Sequence, residues 1–155
     1  MALDRATRLM LVRYATHYET AGFLDGDPSW FMHQVDGDAN REAVAFVASG
    51  LSFGNRRQFM PKIQRLLDCA DGDMDAWVRN GGFERDMPCG CADCFYRFFT
   101  HADMHGFFCA YRRLMEEYGT LGEYVRRNAE GDGYRSIAAI CRWFATSGSG
   151  GVLHW

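Results

Sequence analysis

Lysine is almost missing from this chain: Lys62 is the only one, arginine supplies the rest of the 17 basic residues, and 20 acidic residues outnumber them. At a net charge of -3 no global field draws in a polyanion, so any site for one must be a local patch. Long apolar runs are also missing. No stretch approaches the roughly 18 residues of a membrane span, and no basic leader followed by an apolar run opens the chain. The expectation is a cytoplasmic protein with no membrane partner. Strand signals barely occur, and no internal repeat, low-complexity tract or linker interrupts the chain before the glycine and serine run at 147–151. Equally lacking are a nucleophilic triad, a glycine-rich phosphate loop followed by Lys-Ser or Lys-Thr, a His-Glu-x-x-His pair and a dinucleotide fingerprint. The chain offers no complete catalytic set, and no cofactor is expected.

What is present is core-forming material. Apolar residues make up 48% and aromatics 15% of 155 residues, enough to bury about two-thirds of the unfolded surface in one domain spanning 1–155. Its six cysteines are expected to be free thiols, because nothing directs secretion and such a core needs no staples. Helical signals recur along the chain. Asp4 caps an amphipathic helix over 5–18 with Leu9, Val12 and Thr16 at helical spacing, and Asp27-Pro28 starts a short apolar turn. Asp38 is expected to cap a helix over 39–53 that is apolar on nearly all sides and so belongs at the centre of a bundle. Gly54 suits the left-handed turn that closes it, and Asn55 can cap the next helix, which Pro61 must either kink or delay. Helices over 74–80, after Thr100-x-x-Asp103, after Thr120-x-x-Glu123 (the better capping box of the two) and over 134–146 complete the pattern, the last with Ile137, Ile140, Cys141 and Phe144 on one side. The fold class is all-α, an orthogonal bundle of several helices.

Three constellations carry chemistry. The most informative is Gly54-Asn55-Arg56-Arg57, where the most apolar segment meets the most basic one: Arg56, Arg57, Lys62 and Arg65 follow with no acid until Asp68. Amides at a helix start and guanidinium groups suit a phosphate, which makes Asn55, Arg56, Arg57 and Lys62 the candidate anion or nucleic-acid site. The competing reading has these cations paired with the acid-rich segment 68–86. The second constellation is Cys89, Cys91 and Cys94 followed by His101, His105 and Cys109, ligand types that hold zinc, although the spacing departs from paired Cys-x2-Cys knuckles and a loop of free thiols is the expectation. The third is the aromatic run Phe95, Tyr96, Phe98, Phe99, Phe107 and Phe108, interleaved with Arg97, Arg112 and Arg113. It reads either as base-stacking or, by its helical spacing, as core, and core is the expectation.

Four segments together, Arg41-Glu42-Ala43-Val44-Ala45-Phe46-Val47-Ala48, Phe53-Gly54-Asn55-Arg56-Arg57-Gln58, Tyr96-Arg97-Phe98-Phe99-Thr100 and Tyr118-Gly119-Thr120-Leu121, resemble an uncharacterised family of bacterial cytoplasmic proteins. That family is distantly similar to the helix-hairpin-helix DNA glycosylases, all-helical proteins that flip a damaged base out of the duplex. The resemblance implies DNA as a partner and a glycosylase-like N-terminal helical part. It supplies no catalytic residue, since neither the DNA-gripping hairpin nor a Leu-Asp-Thr-His segment has a counterpart here. The chain is therefore expected to be truncated relative to such a fold, with the apolar end Val152-Leu153-His154-Trp155 free to drive self-association. The alternative expectation is a helical protein-interaction module with no nucleic-acid role.

Overall fold

A computed structural model describes residues 3–129 and 133–147. Capping side chains mark most helix starts. Asp4 accepts from the Ala6 and Thr7 amides to open α1 (Arg5–Tyr18), and Asp27 accepts from Ser29 to open a 3-10 turn over Pro28–Gln34. There follow α2 (Asp38–Leu51), α3 (Arg56–Cys69), α4 (Met74–Arg79) and α5 (Phe83–Asp86). A two-stranded hairpin, β1 (Cys94–Tyr96) and β2 (Phe99–Thr100), interrupts the helices before α6 (His101–Tyr118), α7 (Leu121–Asn128) and α8 (Gly133–Ser147). The described residues are all-α apart from that hairpin. Among the described residues no helix is long and apolar enough to cross a membrane.

The central position of α2 follows from its composition. Ala43, Val44, Val47, Ala48 and Leu51 are all buried, and α2 packs on the 3-10 turn, α3, α4 and α7. Phe46 on α2 meets Phe107 on α6 and Phe144 on α8 in a triangle of rings with centroids 5.2 to 5.6 Å apart, so three helices share one aromatic joint. A second joint lies at the α6–α7 corner. Arg79 of α4 forms a bidentate pair with Asp75 and donates to the Gly119 carbonyl, placing a cation at the C-terminal end of α6. Glu42 of α2 accepts from the amides of Leu121 (2.7 Å) and Gly122 (3.0 Å), placing an anion at the N-terminal end of α7. Each charge complements the helix end it touches.

Several expectations are revised. α1 forms as read, but no residue of it is buried, and Leu9, Met10, Leu11 and Val12 are 48–60% exposed. Its arginines, at positions 5, 8 and 13, share the side of the helix that carries Leu9 and Val12, while Met10, Leu11, Tyr14 and Tyr18 lie on the other side and are exposed as well. The N-cap of α2 is Gly37, at φ 83°, while Asp38 lies inside the first turn near Arg41. α3 begins at Arg56 in spite of Pro61, which stands inside it. The complete capping box is Thr100 with Asp103; Glu123 turns instead to Arg126 and Arg127, and Thr120 caps alone. In α8 the buried residues are Ala139 and Phe144, with Ile140 and Trp143 packed beside them, whereas Ile137 is 64% exposed. Residues 152–155, the expected self-association surface, lie outside the described residues.

Candidate functional site

The turn between α2 and α3 is built as its residue types dictate. Gly54 takes φ 84°, a left-handed conformation that glycine adopts without a steric penalty. Asn55 then caps α3, its Oδ1 accepting from the Arg57 amide at 2.9 Å. The local sequence does not announce the second segment that reaches the same place. The hairpin folds over onto this turn: the Tyr96 hydroxyl donates to the Phe53 carbonyl, and the Phe53 ring meets Tyr96, Phe98 and Phe99 at centroid distances of 5.1, 5.2 and 5.7 Å. Arg97, at φ 53°, turns the hairpin, and the Cys94 thiol donates to its carbonyl at 3.2 Å. The Arg97 guanidinium lies across Gly54 so closely that a β-carbon there would meet Nη1 at 2.8 Å and the Tyr96 hydroxyl oxygen at 3.1 Å.

Gly54 thus serves twice, in conformation and in clearance. Gly54→Ala is expected to lower stability by about 1–3 kcal/mol, the usual cost of a left-handed residue with a side chain. It should also push Arg97 off the turn. Thermal unfolding checks the first effect, and an unchanged midpoint would mean that Gly54 is neither strained by a side chain nor crowded by Arg97.

The four cations and caps named from the sequence do not form one cluster. Arg56 reaches back to Asp27 at 3.7 Å while remaining 63% exposed. Hydrogen bonds from Ser29, with the Arg56 charge in support, hold the Asp27 carboxyl below its ordinary range. Lys62 points to the base of the hairpin, its Nζ 5.3 Å from the centre of the Phe95 ring. Arg57 is exposed, and among the described residues it makes no ion pair. The acids of segment 68–86 are not its partners, for Asp75, Glu84 and Asp86 hold Arg79, Arg112 and Arg85. What the turn does gather is Arg97, brought from 43 residues away in the sequence to lie across Gly54, the residue that leads into Asn55, Arg56 and Arg57.

Arg97 and Phe98 belong to the run that reads from the sequence as base-stacking or as core, with core the expectation, and they are not among the site residues named from it. A two-residue hairpin loop ordinarily shows itself by Asn-Gly, Asp-Gly or a similar pair, and Arg97-Phe98 is no such pair. The surrounding aromatics are core, as spacing predicted: Phe95, Tyr96 and Phe99 are buried. Phe98 is not, being 71% exposed.

The cysteine and histidine set is dispersed. Cys89 and Cys94 are exposed and Cys91 is half-buried. His105 donates from Nδ1 to the Met87 carbonyl at 2.7 Å, and the His101 ring stands edge-on to Phe95 with its Nδ1 buried and lacking a hydrogen-bond partner. Burial raises the Cys109 thiol above its ordinary range, which suits a packing role. Among the described residues no three His, Cys, Asp or Glu side chains converge as ligands of a metal ion would.

A family described as "protein of unknown function", DUF2400, matches residues 27–152, a stretch that contains the whole α2–α3 turn and the hairpin but not α1. No curated protein and no solved structure matches the chain. With the family match covering most of its length, the chain belongs to DUF2400, a family of proteins of unknown function.

Proposed function

We propose that this protein is a single-domain, cytoplasmic, nucleic-acid-associated helical protein whose contact surface is the edge formed by Asn55, Arg56, Arg57 and the hairpin tip. The observation that carries the reading is the placement of Arg97 across Gly54. It sets a third guanidinium on the turn that leads into the arginine pair of α3, on a chain whose net charge is -3. Local concentration of arginine on an acidic protein is the footprint expected of a phosphate-binding patch. Three guanidinium groups offer donors to phosphate oxygens, and phosphate contacts supply most non-specific affinity. The likeness of the four segments named above to relatives of helix-hairpin-helix DNA glycosylases supports nucleic acid as the partner class. It carries over no catalytic residue, so the proposed role is binding.

The test is fluorescence anisotropy of a labelled 20-mer, as strand and as duplex, titrated with wild type and with Arg56→Ala/Arg57→Ala/Arg97→Ala from about 50 to 200 mM salt. Wild-type affinity is expected to fall steeply with salt, and the variant's slope to be flatter by roughly 0.7–0.9 for each phosphate that is no longer neutralised. Absent binding at the lowest salt, or coincident titrations, would end the reading.

A second reading, a protein-interaction module, is favoured by α1, whose apolar side chains at positions 9–12 are about half exposed or more. It predicts that removal of residues 1–20 abolishes partner capture while leaving oligonucleotide titrations unaltered.

A further inference from the structure

We propose that the hairpin tip is a one-sided stacking platform for an unpaired nucleobase, so that the protein prefers single-stranded nucleic acid to duplex. This inference rests on the nucleic-acid reading above and narrows it to a ligand class. Its starting point is Phe98, 71% exposed at the tip. An isolated exposed phenylalanine needs no explanation. This one is held rigidly: Phe53 stacks on it at 5.2 Å with an interplanar angle of 22°, and Phe99 presses on it at 4.7 Å and 60°. The Phe53 ring is in turn packed against Tyr96 and Phe99, and its backbone carbonyl accepts from the Tyr96 hydroxyl. The ring is thus presented in a set orientation at little conformational cost on binding.

Its surroundings point to the ligand. The preceding residue is Arg97, on the Gly54 turn that leads into Asn55, Arg56 and Arg57. An aromatic face adjoined by guanidinium groups is the arrangement that holds a base and its phosphates on a single strand. The geometry also selects against duplex. A side chain that wedges between two stacked base pairs needs both of its faces, and one face of Phe98 is already taken by Phe53. Only one free face remains, enough to receive a base that has lost its own stacking partner. Bases inside a duplex are not in that condition, whereas those of a strand, a loop or an end are.

Phe98→Ala removes little buried surface, so the variant is expected to fold as the wild type does, which circular dichroism can verify. Its affinity for oligo-dT and oligo-rU 12-mers is expected to fall roughly tenfold or more, with an unchanged salt slope, since the stacking partner is gone while the guanidinium groups still meet the phosphates. Phe98→Trp should retain wild-type affinity, and its indole emission should be quenched on binding. An oligomer of abasic sites should bind the wild type as weakly as oligo-dT binds Phe98→Ala. Three results would overturn the platform while leaving the basic edge intact: Phe98→Ala binding as tightly as wild type, abasic and base-bearing oligomers binding alike, or duplex binding as tightly as strand. If no oligonucleotide binds wild type even at about 50 mM salt, the nucleic-acid reading itself has failed, and this inference with it.

Discussion

Phe108→Ala is expected to cost about 3–5 kcal/mol of stability, the range for removing a fully buried aromatic ring from a close-packed core. Phe108 is 0% exposed. Its ring lies edge-on to Trp77 of α4 at 4.9 Å, contacts Phe83 of α5 at 5.6 Å and abuts Phe107 at 5.2 Å. Truncation would leave a void bordered by rings that cannot collapse far, because each is engaged elsewhere. For a chain of this length the destabilisation corresponds to a fall in unfolding temperature of roughly 6–20 °C. Phe98→Ala provides the internal control: the same chemical change at an exposed tip should stay within about 0.5 kcal/mol. Urea titration of both variants decides the matter. Comparable losses would mean that burial does not distinguish the two sites and that the assigned core is wrong.

Glu42→Ala is expected to cost about 2–4 kcal/mol, an effect out of proportion to a half-exposed glutamate. The side chain holds two amides at the start of α7, and hydrogen bonds to a charged group are each worth roughly 1.5–3 kcal/mol. Leu121, one of the two donors, is itself buried, so its amide would be left with poor access to water. Glu42→Gln keeps one acceptor and should recover part of the stability. The distinguishing measurement is amide exchange. Protection should vanish first in the opening turn of α7 and at Gly119, where Arg79 anchors the end of α6, while α3 and the hairpin stay protected. Uniform loss of protection, or none, would show that Glu42 does not act at that corner. Gly122 adds a second route to the same result, since a β-carbon on it would meet the Glu42 carboxylate at 2.8 Å.

The α6–α7 corner and the hairpin turn are connected by α2, which carries Glu42 near its start and leads, past Leu51, into Phe53 and Gly54. A rigid helix between them makes the hairpin tip a fixed feature of the core and not an appendage. The tip is therefore pre-organised, the condition under which an exposed ring and neighbouring arginines act as a binding surface.

How much of this was legible before folding can be judged residue by residue. Asp4, Asp27, Asn55, Thr100 and Thr120 were readable as caps because capping is a bond within three residues, and Gly54 was readable because only glycine is at ease where the backbone turns left-handed. The central place of α2 followed from its lack of a polar face. Asp38 and Glu123 misled for one reason: each carboxylate faces an arginine on the next turn of its own helix, Arg41 for the first and Arg126 and Arg127 for the second.

Local chemistry in the chain, then, determined the helices, their ends and the glycine hinge before Asn55, for each depends on contacts between near neighbours. Tertiary structure alone decided that α1 would stand uncovered, that Glu42 would cap a helix some 80 residues on, and that Arg97 would lie across Gly54. Those outcomes depend on how helix faces pack against one another, and the residues brought together share no periodicity that a linear reading can detect.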